Sequence, residues 1–419
     1  MSERSGRPTQ TTRRAPTTRR LPTRGATARR SATSAPRPRS AQPVRRRSAP
    51  RRDVIRALPP LGWVVVVAVS LLAVIGLVMV ASSSSVRSIR ENNGWAWAYF
   101  TRQLFAVAIG LIAVVVAART RLRVFDRWST VVMFASVVGL LMVLLPTPIS
   151  RGPVNGARRW LEIGPLDFQP SELAKLSLIL WVATLLSRRQ PQMGEWKMTI
   201  LPVGLVTAVL CGLILLGPDL GTVVVICAVV GIMLVAAGAR LDVLVAVGGV
   251  AAVGLGIKAF SGYHAARWSF LDPLANARDS NFQLLGSLGG VASGGWFGVG
   301  PGGSKAKWGY LPEAHTDAIF AVVGEEFGFL GSVVVIALYA TLIVAGLQIS
   351  RRCTDPFGRL AAIGITAWIG LQAFINIGVS VGLLPNKGFT LPFVSYGGSS
   401  QAVLLLAAGI LLSASRRTA

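Results

Sequence analysis

The stretch LGWVVVVAVSLLAVIGLVMVA, residues 61–81, contains no charged side chain. A helix of about 20 apolar residues crosses the hydrocarbon core of a bilayer, which is about 30 Å thick. Buried helices of large soluble proteins can be as apolar, but such runs recur along this chain. Of the 419 residues, 52% are hydrophobic and 14% are charged. The composition therefore predicts a polytopic membrane protein.

The recurring apolar runs predict an all-α fold of about ten transmembrane helices. The predicted spans are residues 61–81, 100–118, 129–146, 173–188, 200–217, 221–239, 241–260, 329–350, 359–384 and 393–414. Arginines cluster in the connections on one side, which the positive-inside rule makes the cytoplasm. Both termini then lie inside, which requires an even number of spans.

These spans predict the domain organisation. Residues 57–415 form the membrane domain, and residues 416–419 form a short cytoplasmic tail. Residues 261–328 form a large outer loop between the seventh and eighth spans. Long loops are more often functional than mere spacers, so we expect the chemistry on the outer side.

Residues 1–56 have a different composition from the rest. They contain 17 arginines against Glu3 and Asp53, with few aliphatic residues. Such a segment buries too little surface to fold alone, so we predict a disordered cytoplasmic tail. Its charge favours contact with anionic membrane lipids. No aromatic residue alternates with the arginines, so nucleic acid is not an expected partner.

The stretch SRGPVNGARRWLEIGPLDFQPSELAKL, residues 150–176, combines basic, aromatic and acidic residues. Trp160 is suited to the membrane interface, and Arg158 lies two residues before it. The Pro-Ser pair that ends at Ser171 predicts a helix start, with Ser171 as the N-cap. We expect this segment to lie at the outer mouth of the fourth span.

Glu172 and Lys175 are three residues apart, so they share one face of the predicted fourth span. They form either an interfacial ion pair or a polar wall that binds an anionic headgroup. Ionisable groups inside spans are costly, which favours the second interpretation. Asp219, between Pro218 and Leu220 in a tight turn, is interpreted as a helix cap or as a second binding group.

The stretch GGVASGGWFGVGPGG, residues 289–303, is rich in glycine and is followed by Lys305 and Lys307. Its amide groups could surround phosphate oxygens, with the lysines as a basic edge. A flexible re-entrant loop explains the glycines equally well, so both interpretations stay open.

The stretch YLPEAHTDAIFAVVGEEFGFLG, residues 310–331, concentrates acidic residues beside an apolar segment. Four of the 17 acidic residues fall there: Glu313, Asp317, Glu325 and Glu326. Thr316 or Asp317 could cap a helix starting at Ala318, or one carboxylate could act as a general base. His315 could orient a partner or pair with Glu313. Capping leaves the two later glutamates without a role.

Polar residues also follow the last two predicted spans and the loop between them, within residues 376–403. They include Asn376, Lys387, Ser395 and Ser399. Small residues at helix contacts are one explanation. A groove for a lipid-linked substrate is the other.

Together these motifs resemble the SEDS family (shape, elongation, division and sporulation) over residues 61–415. The segments that carry the resemblance are RRWLEIGPLDFQPSELAKL, GPDLGT, KWGYLPEAHTDAIFAVVGEEFGFLG and GLLPNKGFTLPFVSYGGSS. The residues before His-Thr-Asp are more similar to the division branch than to the elongation branch. The long arginine-rich tail is typical of an actinobacterial member.

The resemblance implies a peptidoglycan glycosyltransferase in the bacterial cytoplasmic membrane, enriched at the division septum. Such an enzyme polymerises lipid II on the outer face, with undecaprenyl diphosphate as the leaving group. The implied partners are a class B penicillin-binding protein (an FtsI-like transpeptidase) and other divisome proteins. A lipid II flippase and a non-catalytic scaffold for the transpeptidase are the alternatives.

The resemblance also assigns roles to residues. It implies that Asp317 is catalytic and that Glu172 and Lys175 belong to the substrate site; Ala318 departs from the aromatic often found after the aspartate. The other predicted substrate-binding residues are Arg158, Trp160, Asp219, His315, Lys305, Lys307, Asn376, Lys387, Ser395 and Ser399. A divalent cation, Mg²⁺ or Mn²⁺, is compatible with diphosphate chemistry, but no closely spaced acid pair points strongly to one.

Overall fold

The computed structural model describes residues 58–145, 147, 149–150, 152, 158–163, 166–259, 272, 281–385 and 388–418. Eleven α-helices, two 3₁₀ helices of three residues each and one hairpin of two strands make up the regular structure of these residues. The helices are α1 (Pro60–Glu91), α2 (Ala98–Arg119), α3 (Leu122–Leu144), α4 (Pro170–Arg188), α5 (Ile200–Leu216), α6 (Leu220–Ala237), α7 (Leu241–Ala259), α8 (Phe282–Ser293), α9 (Ile319–Arg352), α10 (Pro356–Ser380) and α11 (Gly398–Ser415).

The predicted all-helical membrane fold is confirmed. Each predicted span corresponds to one of the long helices, and eight of the helices are long and apolar enough to cross a membrane. The apolar helix α5 and the apolar part of α7, residues 241–254, are shorter than those eight. The number of ten spans therefore stays a prediction, as does the disorder of residues 1–56, which lie outside the described residues.

Glycines let the helices pack closely. A Cβ placed on Gly110 of α2 would lie 2.2 Å from Leu405 Cδ1 of α11. A Cβ on Gly76 of α1 would lie 2.5 Å from the main-chain oxygen of Phe393. In a membrane, where apolar burial drives helix association weakly, such small residues allow the close contact that holds helices together.

Contacts between connections define two ends of the bundle: at one, Arg87 near the end of α1 bonds Glu313 before α9, and Ser399 at the start of α11 bonds the main chain of Gln169 before α4. This loop-rich end carries the described residues of the connections within 92–97, 145–169, 217–219, 294–318 and 381–397. The arginine-rich end carries the other turns and the C-terminal residues; there Cys353 pairs with Thr418 in an isolated bridge. The loop-rich end is the one that the charge distribution predicts to be outside the cell.

Besides α8, which lies within the predicted outer loop, two features of the loop-rich end were not predicted. A short antiparallel hairpin, β1 (Leu161–Ile163) with β2 (Leu166–Phe168), pairs Leu161 with Phe168 just before α4. The second feature is α9, which begins ten residues before the predicted span and contains a break at Gly328, where φ is 67° and ψ is −163°. Only glycine adopts this backbone conformation readily.

Candidate active site

Asp317 lies in the turn that precedes α9, at the loop-rich end. Three consecutive carbonyl groups of this turn accept hydrogen bonds from other parts of the chain. The donors are Tyr396 N to the His315 carbonyl (2.9 Å), Ser395 Oγ to the Thr316 carbonyl (2.6 Å) and Asn376 Nδ2 to the Asp317 carbonyl (2.8 Å). The main chain at Asp317 is therefore fixed by α10 and by the loop before α11.

The carboxylate of Asp317 lies against the main chain of Gly388. A Cβ placed on Gly388 would come within 2.7 Å of Asp317 Oδ2. The approach is possible because glycine has no side chain. The Asp317 side chain is half-buried, so it is both supported and reachable from the loop-rich end.

Two amide side chains of α10, Gln372 and Asn376, hold the loop that carries Gly388. Gln372 Nε2 donates to the Thr390 carbonyl (3.0 Å), and Asn376 Nδ2 also donates to the Phe389 carbonyl. Residues four apart lie on the same helix face, so both amides point at one loop. The result is a rigid support directly behind Asp317.

The Glu172–Lys175 pair joins the same network from α4. Lys175 Nζ donates to Glu172 Oε1 (2.8 Å) and to Gln372 Oε1 (3.1 Å), and it lies 5.1 Å from the centre of the Trp368 ring. Both charged side chains are buried, so the two residues form a buried ion pair rather than an ion pair exposed at the membrane interface. Glu172 Oε2 has no hydrogen-bond partner among the described residues.

A small cleft of about 20 Å³ lies between the ends of α3, α4, α5 and α6. Its rim carries the exposed Arg158, and its wall includes Ser171, Asp219 and apolar residues of α3 and α5. Arg159 also lines the cleft, and its guanidinium donates to the Gly217 and Pro218 carbonyls. An anionic headgroup in this cleft would meet Arg158 first. Trp160 lies half-buried nearby in the chain, just before β1.

Asp219 is the N-cap of α6. Its carboxylate accepts hydrogen bonds from the main-chain N of Thr222 (3.1 Å) and from the Thr222 hydroxyl (2.8 Å). The capping interpretation is confirmed. Because the same side chain lines the cleft, its predicted binding role remains open.

His315 is buried between two tyrosines. Its ring lies 4.9 Å from the Tyr99 ring and 5.6 Å from the Tyr396 ring, measured between centroids. Burial lowers the pKa of His315 to about 4, since it disfavours the charged imidazolium. At neutral pH the ring is therefore neutral, and it packs behind the Asp317 segment.

Glu313 also holds the turn that contains Asp317, through bonds of its carboxylate. It adopts a left-handed backbone conformation with φ of 53°, which is uncommon for a residue other than glycine. Its Oε1 accepts from Arg87 Nη1 (2.8 Å) and its Oε2 from the Thr316 hydroxyl (3.0 Å). Burial, the largest single influence, would raise the pKa of Glu313, but the hydrogen bond and charge of Arg87, with His315 and the Thr316 hydroxyl, together outweigh it, so the pKa lies below its ordinary value. The ion pair anchors the Asp317 turn to α1.

Glu325 and Glu326, which capping left without a role, bind the glycine-rich loop. Glu325 accepts hydrogen bonds from the Ser304 hydroxyl and from the main-chain N of Lys305 (2.8 Å). Glu326 Oε1 accepts from Ser82 Oγ and, at 3.5 Å, from Lys307 Nζ. These loop amides and the Lys307 ammonium are thus engaged inside the protein, which argues against a phosphate cradle here. The Lys305 side chain is exposed.

Two predicted helix caps are wrong. Gln169, not Ser171, is the N-cap of α4, and Ala318 is the N-cap of α9, which has no side-chain cap. Ser171 is buried in the first turn, because Pro170 already occupies the first helical position. Ser399 instead accepts a hydrogen bond from the main-chain N of Gln169 (2.9 Å), which joins α11 to the start of α4. Lys387 lies outside the described residues.

The described residues contain no group of three or more His, Cys, Asp or Glu side chains placed to hold a metal ion. Near Asp317, the Glu313 carboxylate is already bound to Arg87. Among the described residues, Asp317 is therefore the carboxylate that would hold a divalent cation at this turn.

Several residues that build the site were not predicted from the sequence. Gln372 and Gly388 contact the network directly, and Arg87 and Tyr99 fix the Asp317 turn. Gln372 carried a usable signal, since it lies one turn before Asn376 in an otherwise apolar helix. Arg87 carried none, because its partner is 226 residues away in the chain.

The fold and the site define a polytopic integral membrane protein with a polar site at one end of its helices. Residues 62–419 match the family model of the FtsW, RodA and SpoVE proteins, described as cell cycle proteins. The chain belongs to this family, and the resemblance stated from the motifs is confirmed.

Curated relatives include two bacterial proteins named "Probable peptidoglycan glycosyltransferase FtsW". The one from Coxiella burnetii is 41% identical over 359 residues, covering 84% of this chain and 94% of the relative. The one from Geobacter sp. is 37% identical over 349 residues, covering 83% and 94%.

Solved structures also match most of the chain. A chain from work on the coordination of polymerization and crosslinking by a peptidoglycan synthase complex has a TM-score of 0.69 and 31% identity, over 86% of this chain and 98% of that one. The Thermus thermophilus rod shape determining protein RodA has a TM-score of 0.63 and 28% identity, over 86% and 97%.

Proposed function

We propose that this protein is a peptidoglycan glycosyltransferase of the division type that polymerises lipid II into glycan strands. The observation that carries the proposal is the half-buried Asp317 carboxylate, held by α10 and the loop before α11. The relatives named as peptidoglycan glycosyltransferase FtsW support the same activity.

In the proposed reaction Asp317 is the general base. Its carboxylate takes the proton from a sugar hydroxyl of the acceptor, and the hydroxyl oxygen forms a bond to the anomeric carbon of the donor. The bond from that carbon to the lipid diphosphate breaks, and the diphosphate leaves with the electron pair. General-base catalysis of this kind typically contributes about 10²–10⁴-fold. A fixed main chain keeps the carboxylate in position for the transfer.

Arg158 is the group that we assign to the diphosphate. It is exposed at the rim of the cleft, whereas Lys175 and Lys307 are buried with carboxylate partners and Arg159 is bonded to the Gly217 and Pro218 carbonyls. A cation there would stabilise the charge that grows on the leaving group. Lys175 instead keeps Glu172 and Gln372 in place, so its contribution is electrostatic support from behind. A Mg²⁺ or Mn²⁺ ion would supply further charge to the diphosphate when bound.

The proposal extends to partners and location. The synthase complex that this fold matches coordinates polymerization with crosslinking, which supports a class B penicillin-binding protein as the partner. We further propose that both termini are cytoplasmic, that the protein is enriched at the septum and that residues 1–56 contact anionic lipids.

The test uses the purified full chain with its transpeptidase partner and labelled lipid II in detergent or nanodiscs. Wild type is expected to make glycan polymers, and Asp317→Ala to make none above background. The proposed function fails if wild type makes no polymer with its partner present. The assignment of the base fails if Asp317→Ala makes as much polymer as wild type.

A flippase is the alternative class. It predicts ionisable groups needed near the middle of the bilayer. Here Asp317, Glu172 and Asp219 all lie at the loop-rich ends of helices, which favours a reaction at the membrane edge. Movement of labelled lipid II across protein-containing vesicles, unchanged in Asp317→Ala, would support the flippase instead.

A further inference from the structure

The break in α9 is closed by the glycine-rich loop, main chain to main chain. At the break, carbonyl groups of α9 lose their helical partners. Val299 N donates to the Glu325 carbonyl and Gly300 N to the Glu326 carbonyl, both at 3.0 Å. In return, Phe329 N donates to the Gly295 carbonyl at 2.8 Å. Residues 294–300 thus replace the missing turn of helix.

This pairing explains the glycines. A Cβ on Gly294 would lie 1.9 Å from the Gly324 carbonyl oxygen, and a Cβ on Gly298 would lie 2.1 Å from the Glu326 carbonyl oxygen. No side chain fits at either position. A backbone that leaves its helix is tolerated at membrane depth only where protein satisfies its polar groups, and here the loop does so.

The position of the break along α9 indicates how deep the break lies in the membrane. From Phe329 to Arg351, at the arginine-rich end, there are 22 residue steps, or about 33 Å of helix at about 1.5 Å per residue. The hydrocarbon core is about 30 Å thick. Phe329 therefore lies at the boundary of the core on the loop-rich side, and the docked loop lies at the same level.

The loop presents large apolar side chains at this level. Trp296 is 67% exposed and Phe297 is 80% exposed, and Trp296 packs edge-on against Phe329. Phe329 and Leu330 are themselves exposed, and exposed apolar residues continue down α9 through Val334. The exposed surface of the loop is thus continuous with the lipid-facing surface of a membrane-spanning helix.

We propose that four exposed apolar residues form a ledge at the boundary between lipid headgroups and acyl chains, in the leaflet at the loop-rich end. They are Trp296, Phe297, Phe329 and Leu330. The occupant of this surface is lipid. Tryptophan favours that boundary, and Phe297 would enter the acyl region next to it. The ledge is a membrane contact made by the same loop that leads into the Asp317 turn, and it does not depend on the reaction assigned to Asp317.

The experiment places an environment-sensitive fluorophore on single cysteines of the full chain in nanodiscs with brominated phospholipids. The three native cysteines are first replaced by alanine, and the background variant is checked for monodisperse elution. The labelled positions are Phe297→Cys, Val334→Cys as the buried-in-lipid control and Asn93→Cys as the water-exposed control. The residue Asn93 follows α1, which at 32 residues is about 48 Å long and so extends well beyond the core.

Quenching by brominated lipid at position 297 is expected to approach that at position 334 and to exceed that at position 93 by roughly threefold, since the label lies at the acyl boundary. Quenching at position 297 no greater than at position 93 would overturn the proposal. The proposal would also be overturned if the label at position 297 were shielded from water only after the transpeptidase partner is added, because the ledge would then be a protein-docking surface.

Discussion

Asp317 and the pair Glu325–Glu326 are carboxylates of one segment, less than three helical turns apart, yet they differ in what surrounds them. The carboxylates of Glu325 and Glu326 are buried and accept hydrogen bonds from the glycine-rich loop and from Ser82 of α1. At Asp317 the main chain is held by hydrogen bonds from α10 and from the loop before α11, while the side chain is half-exposed. The difference that matters is exposure: the two glutamates are enclosed by the segments they hold, whereas Asp317 combines a fixed main chain with a partly exposed carboxylate.

The largest expected effect distinguishes the proposed catalytic carboxylate, Asp317, from the structural carboxylate Glu325 in one assay. Asp317→Asn keeps the shape but removes the base, so glycan synthesis should fall by about 10²–10⁴-fold with no loss of thermal stability. Glu325→Gln keeps an acceptor for the loop amides, so its activity per folded molecule should stay within a few-fold of wild type. Polymerisation of labelled lipid II measures both. Equal losses in the two variants would remove the distinction.

Replacing Glu326 is expected to lower the stability of the protein, unlike replacing Asp317, which is expected to lower its activity. Glu326→Ala leaves the Lys307 ammonium buried without its carboxylate, which typically costs about 3–5 kcal/mol of stability. The double variant with Lys307→Met should recover much of that loss, because no unpaired charge remains. Unfolding in detergent, followed by circular dichroism, gives both values. A stable Glu326→Ala protein that makes no glycan would place Glu326 in the catalytic machinery.

Gly388→Ala tests the contact between the loop and the Asp317 carboxylate. The added methyl would lie 2.7 Å from Oδ2, so the carboxylate must move. Displacement of this size is expected to reduce kcat by roughly 10–100-fold with little change in stability. Gly231→Ala on α6 is the matched control, since a Cβ placed there would have no atom of the described residues within 4 Å. If both variants behave like wild type, the carboxylate does not need this position.

The smallest effect concerns pH. The pKa of His315 is lowered by burial from its ordinary value of 6.5 to about 4, so the unfolded chain binds a proton there more readily than the folded one. Stability is then complete above pH 6.5 and falls as the pH is lowered towards 4, by at most about 1.4 kcal/mol per pH unit. Thermal unfolding at pH 7 and pH 5 should differ less in His315→Gln than in wild type. An equal difference would assign the pH dependence to other groups.

Much of the fold followed from the sequence because hydrophobicity is a local property. Apolar runs located the long helices, and the cap at Asp219 was predictable because its partner Thr222 is three residues away. The failed caps at Ser171 and at the start of α9 show the limit of local rules. There a proline and a turn held by distant residues replaced the expected side-chain cap.

The site was predictable in part. Its acidic and amide residues stood out against an apolar background, and the family motifs singled out Asp317. The role of the glycine-rich loop was not predictable. Its glycines are needed because the loop packs against a helix break that lies about 30 residues later in the sequence. The burial of Lys175 and Lys307 was equally hidden, since each depends on a partner from another helix.

The docking of residues 294–300 onto α9 also has a consequence for biosynthesis. A broken helix entering a membrane would expose polar backbone groups to lipid, at a cost of several kcal/mol for each group. Here the segment that closes the break precedes it in the chain, so the ribosome delivers the closing loop first. Its amides and carbonyls are therefore available for pairing as soon as residues 325–330 are made. With the loop placed after α9 instead, the break would wait for its partner until the rest of the helix had been synthesised.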